Sequence, residues 1–351
     1  MKILVIRFKQ IGDAILSSVI CNSLKKSFPD AQIDYVLYDY VAPLFKGHPY
    51  IDNVIEISKK EAKNPVLYLK RVYQITRAKY DIIIDVMGTP KSEFFTLFSL
   101  GTKYRIGRVG TKKRFLRGST FNHYIFEPKG AHDECYKALL TLKPLEEAGF
   151  KIIYDNKMVV GLTEEEIENL REKMKKSGID FTKPIYIFAV TSRREHKIYP
   201  IENMKKIVMG VLEKYSAQVI LFYSPEEKEF VKNFHKMLGD NSRIFSNVET
   251  KSIKELASLI KNCDMFIGNE GGPRHLAQGV GIPSLSIWRH GGGRDTWIPK
   301  SKNHSGISTE DFALITPNYE ELNHCERYNL ITPEYVLEKI DSMIKKLNIR
   351  K

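Results

Sequence analysis

Several segments of this chain combine hydroxyls, cations, carboxylates and glycines at spacings that suit chemistry on an anionic substrate. The first is Arg7-Phe8-Lys9-Gln10-Ile11-Gly12-Asp13, directly after an apolar run. It holds one glycine and so is no GxGxxG fingerprint, which disfavours a dinucleotide oxidoreductase. Gly12 allows a ligand to approach the backbone. Asp13 has two readings: a carboxylate base at a cleft, or a helix N-cap that satisfies free amides. The second segment, residues 191–200, reads Thr191-Ser192-Arg193-Arg194-Glu195-His196-Lys197-Ile198-Tyr199-Pro200. Its hydroxyls and cations suit a phosphate or pyrophosphate, or form a plain solvated basic loop. Pro200 fits the first turn of a helix that follows.

The third segment is Gly268-Asn269-Glu270-Gly271-Gly272-Pro273-Arg274-His275. Glycines and a proline just before a helix leave amides pointing outward, which favours an anion. Glu270 would accept hydrogen bonds from sugar hydroxyls. His275 either donates to a phosphate or packs and bonds locally. No Lys-Ser or Lys-Thr follows the glycines, so this is not an NTP-hydrolysing P-loop. A fourth segment, residues 289–297, carries Gly291, Gly292 and Gly293 in a row. It reads as a mobile lid, a close backbone approach or a flexible turn. No metal site is expected: Asp81 and Asp85 bracket a strand without a DxD loop, and the 9 histidines show no HxxxH spacing. No cofactor is called for, so a leaving group would be stabilised by basic side chains and helix amides.

These loops need strands to carry them. Apolar runs at 2–6, 33–38, 53–57 and 81–86 read as buried strands, with a helix over 13–28 and a Lys- and Tyr-rich helix between the last two. A polar helical stretch at 163–180 separates two halves, opened by Thr163 and Glu166 as a capping box. Strands follow at 185–190, 217–223, 264–267 and 284–288, with helices at 200–215, 225–238 and 251–262. The alternation predicts an α/β protein with two doubly wound, Rossmann-like domains facing across a cleft at the carboxyl ends of their sheets. The expected domains are 1–160 and 161–330. A last helix, starting near Pro333 within 331–351, is expected to pack back on the first domain.

Composition sets the setting. Lys and Arg number 55 against 42 Asp and Glu, a net charge of +13. That excess favours an anionic partner such as a phosphorylated glycolipid or an acidic membrane surface, or is a solvated Lys-rich surface. The basic residues are spread out and no nucleic-acid motif accompanies them, so nucleic acid is not expected. No run reaches the roughly 18 apolar residues of a membrane span, and the first residues read as a strand rather than a secretory signal. The expectation is a cytoplasmic protein. Cys21, Cys135, Cys263 and Cys325 form no CxxC pattern and read as inert thiols.

The segments 1–36, 80–95 and 266–288, in that order, resemble glycosyltransferase family 9, the ADP-heptose:lipopolysaccharide heptosyltransferases. The resemblance implies the GT-B architecture, a metal-independent inverting mechanism and a nucleotide-diphosphate sugar donor, with ADP-heptose expected. It implies an anionic lipopolysaccharide or lipooligosaccharide inner-core acceptor, at the inner membrane of a Gram-negative bacterium. Residue by residue, it assigns Asp13 as general base, with Arg7, Lys9 and Gly12 on the acceptor side. Lys197 matches a phosphate-contacting lysine, and Thr191 and Ser192 match small hydroxyl residues, with Arg193 beside them. Glu226 falls where a carboxylate lies near the donor nucleoside. Gly272, Pro273 and His275 match the signature before the donor-binding helix, with Glu270 and Gly271 leading into it. Glu270 stands where many members have Asp, Gly271 where many have Ser or Thr, and Tyr199 where Trp is frequent. These departures mark a divergent branch. The alternatives are a family-9 transferase with another sugar or glycan acceptor, a nucleotide-sugar 2-epimerase, and a non-catalytic anion-binding protein.

Overall fold

Aliphatic and β-branched residues fill runs of four to seven positions, each bounded by turns. Such runs are stable as strands only when both faces are covered. In the computed structural model they form two parallel sheets. The structure describes every residue except Lys9, 111–119, Lys129, Ala131 and Lys351. The first sheet contains β1 (Lys2–Ile6), β2 (Gln32–Tyr38), β3 (Asn53–Ile57), β4 (Ile82–Asp85), β5 (Tyr104–Val109) and β6 (His123–Phe126). The second contains β7 (Ile185–Ala189), β8 (Gln218–Leu221), β9 (Ile244–Phe245), β10 (Met265–Asn269), β11 (Ser284–Trp288) and β12 (His304–Ser308). Their spatial orders are β3-β2-β1-β4-β5-β6 and β12-β11-β10-β7-β8-β9. Numbered from the first strand of each sheet, both orders are 3-2-1-4-5-6, the doubly wound arrangement twice over.

The chain divides into compact units at Leu162/Thr163. In the first, Leu4, Ile6, Ile83, Tyr68, Val72 and Phe95 belong to one buried cluster. In the second, Phe188, Val219, Ile267 and Leu285 share a core with Val208 and Val211 of the helix Ile201–Lys214. The expected separator is the helix Glu164–Lys176, capped by Thr163 and Glu166 as the capping box predicts.

The last helix, Pro333–Leu347, is part of the second unit and not a separate piece. Val336, Ile340, Met343 and Ile344 lie in the second core. Gly210 admits the close packing, since a Cβ there would come within 2.6 Å of Leu337. Arg350 beyond it holds both oxygens of Asp264 (2.8 and 2.7 Å) and the Phe181 carbonyl (3.0 Å).

Other expectations are corrected locally. The helix expected over 13–28 is two, Ile11–Ser17 and Val19–Ser27, because the Ser18 hydroxyl donates back to the Ile15 carbonyl (2.8 Å). The helix before β4 is also two, Lys59–Lys63 and Pro65–Thr76. Asn64 caps the second through the Val66 and Leu67 amides, and Pro65 starts it. Strands β5, β6, β9 and β12 were not anticipated.

Candidate active site

In each sheet the strand order reverses beside the first strand, between β1 and β4 and between β7 and β10. Loops leave these neighbours toward opposite faces, which opens a crevice at their carboxyl ends. Arg7–Asp13 follows β1, Thr191–Lys197 follows β7, and Glu270–His275 follows β10. Fold topology therefore places the first three segments at the switch points of their own sheets.

In the first unit Asp13 is not an N-cap. It is the third residue of its helix, behind Gln10 at the cap, and its Oδ2 accepts from the Gln10 amide (2.8 Å). Its Oδ1 is ion-paired with the Arg7 guanidinium. Arg7 is buried; it also reaches the Val86 carbonyl (3.4 Å) and stands 3.8 Å from Glu134. Gly12 is buried in the same turn, and Lys9 lies outside the described residues. Glu134 in turn accepts from Arg108 (3.0 Å) and Lys137 (3.3 Å), and both cations also hold Glu127 (3.1 and 2.9 Å). Burial works to raise the Glu134 carboxyl, but Arg108, Arg7 and Lys137 outweigh it and hold it below the usual range. Sequence reasoning missed Glu134, Arg108, Glu127 and Lys137. Each is a lone charge far from the loop it serves.

Asp85 ends β4 beside this network. Its Oδ1 accepts from the Met87 and Gly88 amides (2.9 and 3.1 Å) and so shapes the loop after β4. Burial pushes its carboxyl up to about 6, against lowering contributions from Ser92, Gly88 and Met87.

In the second unit Thr191 is buried, Ser192 is half-buried, and Arg193 and Arg194 are exposed. The short turn Glu195–Lys197 brings the Lys197 ammonium 2.7 Å from Glu270 Oε2. The Glu270 side chain is only 5% exposed, and its Oε1 is buried without a hydrogen bond. The loop after β7 is tied to β10 where the Tyr199 amide donates to Asn269 (2.9 Å). At Gly268 φ is +137°, and a Cβ would meet the Ala189 carbonyl oxygen at 2.3 Å, so β10 can close on β7 here only as glycine. His196 is held below its ordinary value, first by loss of water and then by Arg289, Arg194 and Lys197. Next to Glu270 the helix Gly272–Val280 starts at Gly271 with no side-chain cap, an end that suits an anion.

His275 and Glu226 are placed as follows. Burial first, then Arg274, holds the His275 imidazole well below the ordinary value, so it is neutral near pH 7. A proton on Nδ1 donates to Gln278 (3.0 Å) while Nε2 accepts from Arg274 (3.0 Å). Glu226 stands exposed on the turn Pro225–Glu227, whereas Glu227 caps Ser224. Arg274, which the sequence did not single out, is fully buried; it donates to the Trp297 carbonyl (2.9 Å) and lies over the Trp288 ring. The glycine loop after β11 makes a close approach: a Cβ on Gly292 would lie 3.3 Å from Glu270 Oε1. The Gly291 amide anchors it to Glu310 (3.1 Å). Tyr199, where Trp is frequent, is buried edge-on to Tyr328. Among the described residues no helix is long and apolar enough to cross a membrane.

Taken together, these parts offer a carboxylate held at one switch point. The other carries a cationic loop, a carboxylate and a helix N-terminus without a side-chain cap. The model for glycosyltransferase family 9 (heptosyltransferase) matches residues 69–313. Lipopolysaccharide heptosyltransferase 1 of Campylobacter coli is 26% identical over 296 residues, covering 82% of this chain and 84% of its own length. The crystal structure of a family 9 glycosyltransferase from Veillonella parvula superposes with a TM-score of 0.81 at 17% identity, covering 98% and 97% of the two chains. E. coli heptosyltransferase WaaC with ADP-2-deoxy-2-fluoro heptose gives 0.70 at 15% identity, covering 97% and 99%. Such likenesses fix the fold as GT-B.

Proposed function

Because the chain belongs to glycosyltransferase family 9, we propose that it moves a heptose from ADP-heptose onto the inner core of a lipopolysaccharide or lipooligosaccharide. The observation that carries this reading is the second switch point. Lys197, the buried Glu270 carboxylate and an uncapped helix N-terminus converge there. A diphosphate suits the ammonium and the amides, and sugar hydroxyls suit a carboxylate oxygen with no other partner. The relatives named above include a lipopolysaccharide heptosyltransferase and an enzyme with an ADP-heptose analogue.

In the proposed inverting step an acceptor hydroxyl attacks the anomeric carbon as the bond to the diphosphate breaks. Asp13 takes the hydroxyl proton, and ADP leaves with the electron pair. Lys197, Arg193 and the N-terminus of the helix Gly272–Val280 oppose the charge growing on the departing diphosphate. Each such contact contributes roughly 3 kcal/mol at a transition state. The +13 net charge would draw the protein to the anionic surface where the acceptor is presented.

The test is a panel of nucleotide sugars against truncated core acceptors, with products detected by mass. Heptose transfer from ADP-heptose alone is expected. Transfer of a different sugar would reassign the donor, and isomerisation of a donor without acceptor would move the reading to an epimerase.

A further inference from the structure

Asp13 does not stand alone in the first unit. Arg7, Arg108 and Lys137 interleave with Asp13, Glu134 and Glu127 in one connected set of ion pairs, three charges of each sign. The side chains are poorly exposed: 10% for Arg7, 18% for Asp13, 9% for Glu134 and 13% for Arg108. Water and salt screen such pairs weakly. Arg7 is the joint of the set. Its Nη2 serves Asp13 and also faces Glu134 at 3.8 Å, while Nη1 is pinned by the Val86 carbonyl (3.4 Å). Glu134 is itself held by Arg108 at 3.0 Å, so Arg7 is shared unequally between two carboxylates.

We propose that Arg7 is a positioning residue for the base, and that Glu134 sets how much of Arg7's charge Asp13 feels. This rests on the reading of Asp13 as base. The Gln10 amide and the Arg7 fork hold one carboxylate oxygen each, which fixes the carboxylate plane. The remaining lone pairs are free to take a proton. An Arg that was not shared would make Asp13 a poorer proton acceptor; with no Arg, Asp13 would be more basic but loosely aimed. Glu134 strikes the balance, and Arg108 and Lys137 keep Glu134 charged. From the other side Tyr35 of β2 faces the pair, neutral and donating to the Ala14 carbonyl (3.0 Å), with Cys21 next to it.

The test is the pH profile of kcat/KM for acceptor, with folding checked by circular dichroism and ADP affinity by calorimetry. Arg7→Gln should move the acid limb up by about one pH unit or more, and Glu134→Gln should move it down. Both should lower kcat at least tenfold while ADP affinity stays within twofold. Arg7→Lys and Glu134→Asp keep the charges, so their limbs should stay in place even where kcat falls. Opposite shifts are a signature that loss of packing does not produce. Rate losses with unmoved limbs in Arg7→Gln and Glu134→Gln would overturn the proposal. If Glu134→Gln fails to fold, the contrast of Arg7→Gln with Arg7→Lys decides. Asp13→Asn is run beside them. Full activity in that variant would overturn the base reading itself, whereas an inactive Asp13→Asn with unmoved limbs elsewhere would sink only the role of Arg7 and Glu134.

Discussion

Replacing Lys197 with Ala should damage stability and turnover by separate routes, and the structure sets the size of each. The ammonium lies 2.7 Å from Glu270, with side-chain exposures of 21% and 5%. Breaking a fully buried pair costs about 3–5 kcal/mol, because the remaining charge is stranded. Lys197 is a fifth exposed, so the expected cost is nearer 2–3 kcal/mol. In a unit of this size that lowers the melting temperature by roughly 5–10 °C. Turnover should fall further, by about one to two powers of ten with a raised donor Michaelis constant. The same ammonium opposes charge on the leaving diphosphate, but only the part of its charge not already matched by Glu270 counts. Lys197→Arg should keep partial activity. The assay pairs thermal melts with steady-state kinetics, donor varied at saturating acceptor. Lys236→Ala is the control, since Lys236 is exposed on the helix Lys228–Leu238. The decisive variant is Lys197→Met with Glu270→Gln, which removes both charges. Stability should recover while turnover does not. If Lys197→Ala matched the Lys236 control, or if the double variant regained turnover, the pair would be structural only. The phosphate site would then move to the 270–275 loop.

Asp13→Asn should cut transfer by roughly two to four powers of ten with donor affinity and melting nearly unchanged; retention of more than about a tenth of the rate would remove Asp13 from the base role. Asp85, whose folded value is raised from 3.8 to about 6, costs stability once charged. That cost is absent at pH values below the unfolded 3.8, grows as pH rises, and is complete above 6. Asp85→Asn should therefore be more stable than the parent by about 1–3 kcal/mol at pH 8, with the gain vanishing near pH 4; a pH-independent difference in urea midpoint would contradict this. Activity should survive a chelator, since cationic side chains and amides are the proposed stabilisers of the leaving group; loss restored by magnesium or manganese would overturn that. Binding to vesicles with anionic lipid should weaken as salt shortens the screening length below about 8 Å, and equal binding to neutral vesicles would make the +13 charge a mere solvated surface.

Central strands were legible because they are buried on both faces. β1, β4, β7 and β10 are mostly apolar runs, and β11 sets Leu285, Ile287 and Trp288 among two buried serines. The missed strands lie toward sheet edges, where one flank needs no apolar cover. β6 alternates half-buried and exposed, β12 reads HSGIS, and β9 is two residues long. β5 hides behind Arg105 and Arg108, and its Gly107 makes room for the Phe121 ring. In the site, loops that gather hydroxyls, cations and glycines were legible as local composition. The partners were not. Glu134 meets Arg7 across 127 residues of chain, and Lys197 meets Glu270 across 73. Burial holds the His275 imidazole well below its ordinary value, and nothing local to its helix turn announces that.

The place of the final helix bears on how the chain comes into being. Synthesis runs from the amino end, so all six strands of the first sheet are available once Leu162 has emerged. The second unit must wait: Val336, Ile340, Met343 and Ile344 complete the core around β7 and the helix Ile201–Lys214, and Arg350 closes on Asp264. During translation of residues 163–330 that apolar helix face stays open to water, the condition under which nascent chains recruit chaperones or aggregate. A ribosome stalled before Pro333 would thus carry a protease-sensitive second half behind a first half with its sheet complete.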